Sequence, residues 1–141
     1  MAYADARDRI KTVLGGLSIT SPADMSIKRV YADPPPTIED DPCFVMFGPA
    51  GAFGYTAGGA AIIEGPEVER ARVYVHDADY GRAAALVTAF RAALIAAFKT
   101  EATLNGHAEL AEIRWDHTGS MDKYTVQDFY FTFLVKVPQE E

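Results

Sequence analysis

The sequence predicts an α+β fold: a single domain over residues 1–141, with a mostly antiparallel, mixed β-sheet, an N-terminal helix and one long helix packed on it. Three observations predict it. Apolar residues recur at helical period near the start and again over about 80–99, and alternate at period two in several other segments. The strand-like segments come in runs instead of alternating one for one with helices, the pattern of an antiparallel sheet with helices on one face. And 141 residues, 49% hydrophobic and 23% charged, are one domain's worth of chain with ordinary globular composition.

Residues 2–14 predict a helix, because Ala6, Ile10, Val13 and Leu14 form one stripe. Asp5 and Arg9 stand four apart and can support it, and Gly15-Gly16 supply the stop. A Ser/Thr/Pro/Asp connection over 18–26 leads to a short strand at 27–31. Residues 33–42 hold Pro34, Pro35, Pro36 and Pro42 with Glu39, Asp40 and Asp41. Consecutive prolines hold an extended segment without ladder bonds, so an ordered, projecting acidic loop is expected. The run Cys43-Phe44-Val45-Met46-Phe47 predicts a central strand. Five glycines in the twelve residues 48–59 predict a mobile loop or a long hairpin tip. Residues 60–64 and 68–76 predict strands around a Gly65-Pro66 turn. In the second, Ala71, Val73 and Val75 share one face, and Arg70, Arg72, Tyr74 and His76 the other.

Asp77 or Asp79 can cap the helix over about 80–99. Leu86, Phe90, Leu94 and Phe98 recur every fourth residue, Val87 and Ile95 widen the stripe, and the rest is mostly alanine. A helix covering a monomer's sheet normally shows a charged outer face. This smooth one predicts a packing partner, most simply another subunit. Its apolar core, 83–98, is short for a membrane span and contains Arg91. Leu104-Asn105-Gly106 is a turn signal. A strand follows over 109–116, with Ala111, Ile113 and Trp115 on one face. The last strand, 124–137, sets Phe129, Phe131, Phe133, Val135 and Val137 on one side. Val126, Tyr130, Thr132 and Leu134 on the other predict a half-covered second face.

Thirteen Lys and Arg against twenty Asp and Glu leave a net charge of −7, which disfavours non-specific nucleic-acid binding. The first residues lack the basic start and apolar stretch of a secretory signal. The lone Cys43 forms no internal disulfide and is expected as a buried strand residue. His76-Asp77-Ala78-Asp79, with His107 and Asp116-His117, brings potential metal ligands together, but at no close ligand spacing. Helix capping explains the two aspartates more simply. The glycine run lacks G-K-S/T and is followed by a strand, against phosphate binding. No serine sits in G-x-S-x-G, and the contiguous acids Glu39-Asp40 and Glu140-Glu141 do not resemble an acid/base pair. No catalytic residue, metal or cofactor is assigned, and no enzyme activity is expected. The candidate contact residues are Arg70, Arg72 and Tyr74 on the outward strand face, Phe53 and Tyr55 in the glycine-rich run, and Glu39, Asp40 and Asp41 in the proline loop.

In its order of elements the chain resembles the tail-terminator, or tail-completion, proteins of long-tailed bacteriophages. The resemblance covers most of the chain. It runs through the short N-terminal helix, the approach Asp33-Pro34-Pro35-Pro36 to Asp41-Pro42, and the strand ending in Gly48. It continues through Arg72-Val73-Tyr74-Val75 leading into the long helix, then Leu104-Asn105-Gly106, the strand to Trp115 and the closing aromatic strand. Two departures are the link His76-Asp77-Ala78-Asp79-Tyr80-Gly81 and the long glycine-rich loop. The resemblance implies a virion protein of the tail or neck, found in the host cytoplasm during assembly. It implies a homo-oligomeric ring, typically a hexamer, contacting the tail-tube protein and the head-tail connector protein. DNA passes its channel without specific binding, and no membrane is involved. The alternatives are another head-tail connector component, or a small α+β enzyme or ligand-binding domain using the His76–Asp79 corner.

Overall fold

The computed structural model describes residues 2–55, 62–77, 79–106 and 108–135. They form α1 (Ala2–Gly15), β1 (Ser18–Ile19), β2 (Met25–Ser26), β3 (Arg29–Tyr31), β4 (Cys43–Tyr55), β5 (Ile62–His76), α2 (Tyr80–Phe98), β6 (Ala108–Trp115), β7 (Gly119–Met121) and β8 (Tyr124–Val135). The fold is α+β. The main sheet has the order β3-β4-β5-β8-β6, with β7 also paired to β8. Among the described strands of this sheet, only the β3–β4 pair is parallel. β1 and β2 make a separate two-stranded ladder inside the segment expected to be a plain connection.

Period-two alternation gives the sheet two unlike faces. Phe44 and Met46 of β4, Ala71, Val73 and Val75 of β5, and Phe129, Phe131 and Phe133 of β8 point to the helix side and are fully buried or nearly so. Both helices cover this side. Ala6, Ile10 and Leu14 come from α1, and Leu86, Val87, Phe90, Leu94 and Phe98 from α2. Phe98 meets Phe131 at 5.0 Å between ring centroids, and Phe44 meets Phe129 at 6.2 Å. Each such side chain contributes roughly 2 kcal/mol on burial, against tenths of a kcal/mol for helix propensity per residue. Packing therefore sets the orientation of α2. α2 matches the expected span of about 80–99, and although its apolar core was read as short for a membrane span, at 19 residues and mean hydropathy 1.5 it is within range of one by length and composition. Its every-fourth-residue buried stripe is that of a helix lying on a sheet.

Several expectations need correction. Gly65-Pro66 is not a turn, because β5 runs unbroken from Ile62 to His76. The register passes from Gly51↔Glu67 to Phe53↔Glu64, so two β5 residues, Gly65 and Pro66, oppose one of β4. A bulge accepts a proline that lacks an N–H for the ladder. Of the two expectations for the glycine-rich run, the long hairpin agrees with the structure over 48–55 and the loop does not: β4 extends to Tyr55, paired with Ile62 of β5. Residues 56–59, the remainder of that run, lie outside the described residues, as do Ala78, His107, Val137 and Glu140-Glu141. In β6 a register shift between Leu110 and Glu112 makes Ala111 an extra, exposed residue. Leu110, rather than Ala111, therefore joins Ile113 on the core side. The Leu104-Asn105-Gly106 turn holds, with all three residues at positive φ.

A second bulge, this one in β4, sets Phe47 and Gly48, the latter at φ 94°, against Arg70. Beside it lies a charged group the sequence reading did not single out. Glu69 shares the inward parity of Ala71 and Val73 and is fully buried. Its Oε1 accepts from Arg7 Nε of α1 at 2.9 Å, and its Oε2 accepts the Gly48 N–H at 3.0 Å. Arg7 also donates to the Ala32 carbonyl. One carboxylate thus joins helix, bulge and sheet. We expect Glu69→Ala to cost about 3 kcal/mol, as removal of one partner from a buried pair does, measured by urea unfolding.

Arg9 does not simply support its own helix. It forms a two-bonded pair with Glu101 past the end of α2, at 2.9 and 2.7 Å. The hydrogen bonds from Arg9 hold the Glu101 carboxyl below its ordinary value of 4.5. A depressed folded-state value means the pair stabilises the fold above pH 4.5, and that this is lost as pH falls through the lowered value. Glu101→Gln should therefore lower stability at pH 7 and flatten the acid limb of a stability–pH curve, measured by denaturant unfolding across pH 2–7.

Candidate interaction surface

The side of the sheet away from the helices has two halves. In the lower half, Tyr31, Cys43, Val45, Tyr74, Tyr124 and Val126 form a second apolar cluster, with Ile38 and Phe47 packed against it. Tyr74 and Tyr124 meet edge to face at 5.5 Å, and exposed His76 stands 6.0 Å from Tyr124. The proline loop does not project as expected. It folds back as a cover. Ile38 caps the cluster, the Tyr31 hydroxyl accepts the Glu39 N–H at 3.2 Å, and the Tyr124 hydroxyl donates to the Ile38 carbonyl at 3.4 Å. Glu39 is exposed, while Asp40 and Asp41 are half-buried. Asp40 lies 3.7 Å from Arg29.

The upper half is polar and self-paired. Arg72 donates to both carboxylate oxygens of Asp128, at 2.5 and 3.3 Å, and to the Tyr74 hydroxyl at 3.2 Å. The Asp128 bond raises the Arg72 pKa against the opposing pull of burial. Arg70 and Arg72 bracket the Phe47 ring at 4.0 and 5.0 Å. Arg70 Nε is buried without a hydrogen-bond partner among the described residues, 4.0 Å from Asp128. Tyr130 donates to Asp116 at 2.9 Å beneath the Arg114 guanidinium, 4.7 Å from the Tyr130 ring centroid. The three predicted strand residues therefore share a face but differ in access. Arg70 is partly exposed, Arg72 is locked to Asp128, and Tyr74 is buried within its own chain. Phe53 and Tyr55 belong to the distal part of β4, of which only the backbone is described. Asp128, the organising anion here, was not singled out in the sequence; its outward parity on β8 was the available signal, and its place opposite Arg72 comes from the register.

The helix side leaves a different surface. The outer stripe of α2 runs Gly81, Ala85, Thr88, Ala92, Ala96 and Lys99, all exposed. Beside it a groove of 310 Å³ opens between α2 and β6, floored by Ile95, Leu110, Ile113 and Trp115, with Lys99 at one end. Trp115 is 41% exposed and lies 5.2 Å from Arg91. Arg91 in turn donates to Gln127, a buried amide that also donates to the Asp116 carbonyl. Leu110's place in the groove follows from the β6 bulge, which sequence periodicity did not reveal, whereas Trp115 keeps the predicted parity with Ile113 and is exposed on the last strand of the sheet order.

The His76–Asp79 corner is a capping structure. Asp79 Oδ1 accepts from the Gly81 and Arg82 N–H groups, and Asp77 accepts from Asp79 N and pairs with Arg82 at 3.2 Å. Among the described residues, no three His, Cys, Asp or Glu side chains gather as a metal-ligand set. Against protein-family models and curated proteins, the chain matches none.

Cys43 is fully buried, and burial, reinforced by Asp41 and Asp40, pushes its thiol up to about 12. Thiolate, the reactive form, is then scarce at neutral pH. Native protein at pH 7–8 should react with a thiol reagent such as Ellman's at least 100-fold slower than the urea-unfolded chain, roughly as expected of a high-pKa thiol reached only by opening.

Proposed function

We propose that this chain is a structural subunit of a bacteriophage tail that joins copies of itself into a ring, caps the tail tube and presents a surface to the head-tail connector. The observation that carries the reading is the outer stripe of α2. Ala85, Thr88, Ala92 and Ala96 are exposed on a helix of otherwise apolar composition, beside an open apolar groove. Small residues let backbones approach closely, and apolar surface left open by one chain favours burial against another.

Two further observations support it. Of the elements on which the resemblance to tail-terminator proteins rests, the N-terminal helix, the strand before α2 and the aromatic strand at the end are present in that order, while the strand expected to end at Gly48 runs on to Tyr55. The net charge of −7 suits a channel that DNA must traverse without adhering, since like charge repels phosphate. The ring is hexameric by that resemblance. The same features suit a neighbouring connector component, but the α2 surface does not favour it over the terminator. The ligand-binding alternative at the His76–Asp79 corner loses its motive, because capping accounts for both aspartates.

Ala92→Glu tests the reading. Position 92 is exposed, so the variant should keep its unfolding free energy within about 0.5 kcal/mol. The native chain at high concentration should give closed rings by electron microscopy and a matching mass by sedimentation, and the variant should stay monomeric. A native chain that remains monomeric at millimolar concentration overturns the proposal.

A further inference from the structure

The two outer edges of the main sheet are open at the same level. β3 spans only three residues and covers β4 at Cys43, Phe44 and Val45, so among the described residues no strand pairs with that edge of β4 from Met46 to Tyr55. At the opposite side β7 covers β8 only at Tyr124–Val126, and above it β6 is itself the last strand. Reading across the ladder gives rows. Trp115, Phe129, Ala71 and Met46 form one, and Leu110, Phe133, Glu67 and Gly51 another. The free edge of β6 therefore stands level with the free edge of β4. Because β4 is antiparallel to β5, β5 to β8 and β8 to β6, β4 and β6 run in opposite directions. A copy displaced sideways without inversion brings its β4 edge beside β6 in antiparallel orientation, with both helix layers on the same side.

Charge matches this placement. Lys99 borders the groove next to Leu110 on the helix side, and has no ion pair among the described residues. Glu67, half-buried, lies in the Leu110 row on the helix-side parity of Glu69 and Ala71, one strand in from the β4 edge, and is likewise without an ion pair among the described residues. Between them the neighbour's strand would present Gly51, with no side chain to obstruct an approach. The stretch 50–55, Ala-Gly-Ala-Phe-Gly-Tyr, carries neither charge nor proline, two of the devices that keep sheet edges apart.

We infer that copies of this chain join head to tail by antiparallel pairing of β6 with the distal edge of the next copy's β4, with Lys99 facing the neighbour's Glu67. This rests on the ring reading above and names its seam. The contact is heterologous: one edge gives and the other receives, so repetition closes into a ring when the rotation per copy divides the circle.

Hydrogen exchange on the native full-length chain, read in the dilute monomer and in the concentrated assembly, tests it. Amides of 108–115 and 50–55 should slow at least tenfold together on assembly. In sedimentation, Lys99→Glu should weaken association roughly tenfold through like-charge opposition, and adding Glu67→Lys should restore it. A loss caused only by altering the end of α2 would not be restored by the second substitution, and would overturn the assigned contact. Rings whose two edges exchange as in the monomer overturn the seam and leave the ring standing. Absence of any assembly overturns both.

Discussion

Burial of the aromatic row Phe129, Phe131 and Phe133 under α2 constrains the rest of the molecule. These rings occupy alternate positions of β8, the strand that pairs with β5, β6 and β7. Their common direction decides which side of the sheet the helices cover, and with it the inward parity of β5, where Glu69 must lie. It also decides which side of α2 faces in. Leu86, Phe90, Leu94 and Phe98 share the core cluster with the rings, and Ala85, Thr88, Ala92 and Ala96 are turned outward. The exposed stripe is thus a geometric result of filling the core at a period near four, on a helix whose remaining residues are small.

The second face is closed differently. Its lower half is apolar and uses the proline loop as a lid, while its upper half sets Arg70 and Arg72 against Asp128 and Tyr130 against Asp116. Arg72, Asp128 and Tyr74 satisfy one another over short distances. Charges so engaged offer little to a partner, because a newcomer would have to displace a two-bonded guanidinium–carboxylate pair. The helix side, by contrast, offers apolar area and unpaired edges. That contrast moves the centre of interest from the outward arginines to α2 and the sheet margins.

Much of the fold was legible in the sequence because its signals were periodic. The stripe Ala6, Ile10, Leu14, the fourfold recurrence from Leu86 to Phe98, and the alternation in β5 and β8 each correspond to a buried face. The errors fall where periodicity breaks. Gly65-Pro66 has the composition of a turn, yet a bulge absorbs it within one strand. Ala111 has the parity of a core residue, yet one inserted position shifts the phase and turns it out. The prolines of 33–42 signalled extension, but only contacts with Tyr31 and Tyr124, distant in sequence, decide that the segment lies down instead of standing away. At the candidate surface, the α2 stripe was legible from composition alone. Leu110's place in the groove beside it was not, because it depends on the β6 bulge. Glu69 and Asp128 were visible as residues, but their roles depend on pairings across strands and helices.

The short strands β3 and β7 have a consequence of their own. Each occupies the outward backbone groups of its neighbour along one end only and, at three residues, offers a misfolded chain or a foreign peptide only a short edge of its own. The longer open margins lie at the opposite end of the molecule, so amyloid-like recruitment would start there. If copies pair there as proposed, the period of greatest hazard is the time a newly made chain spends alone.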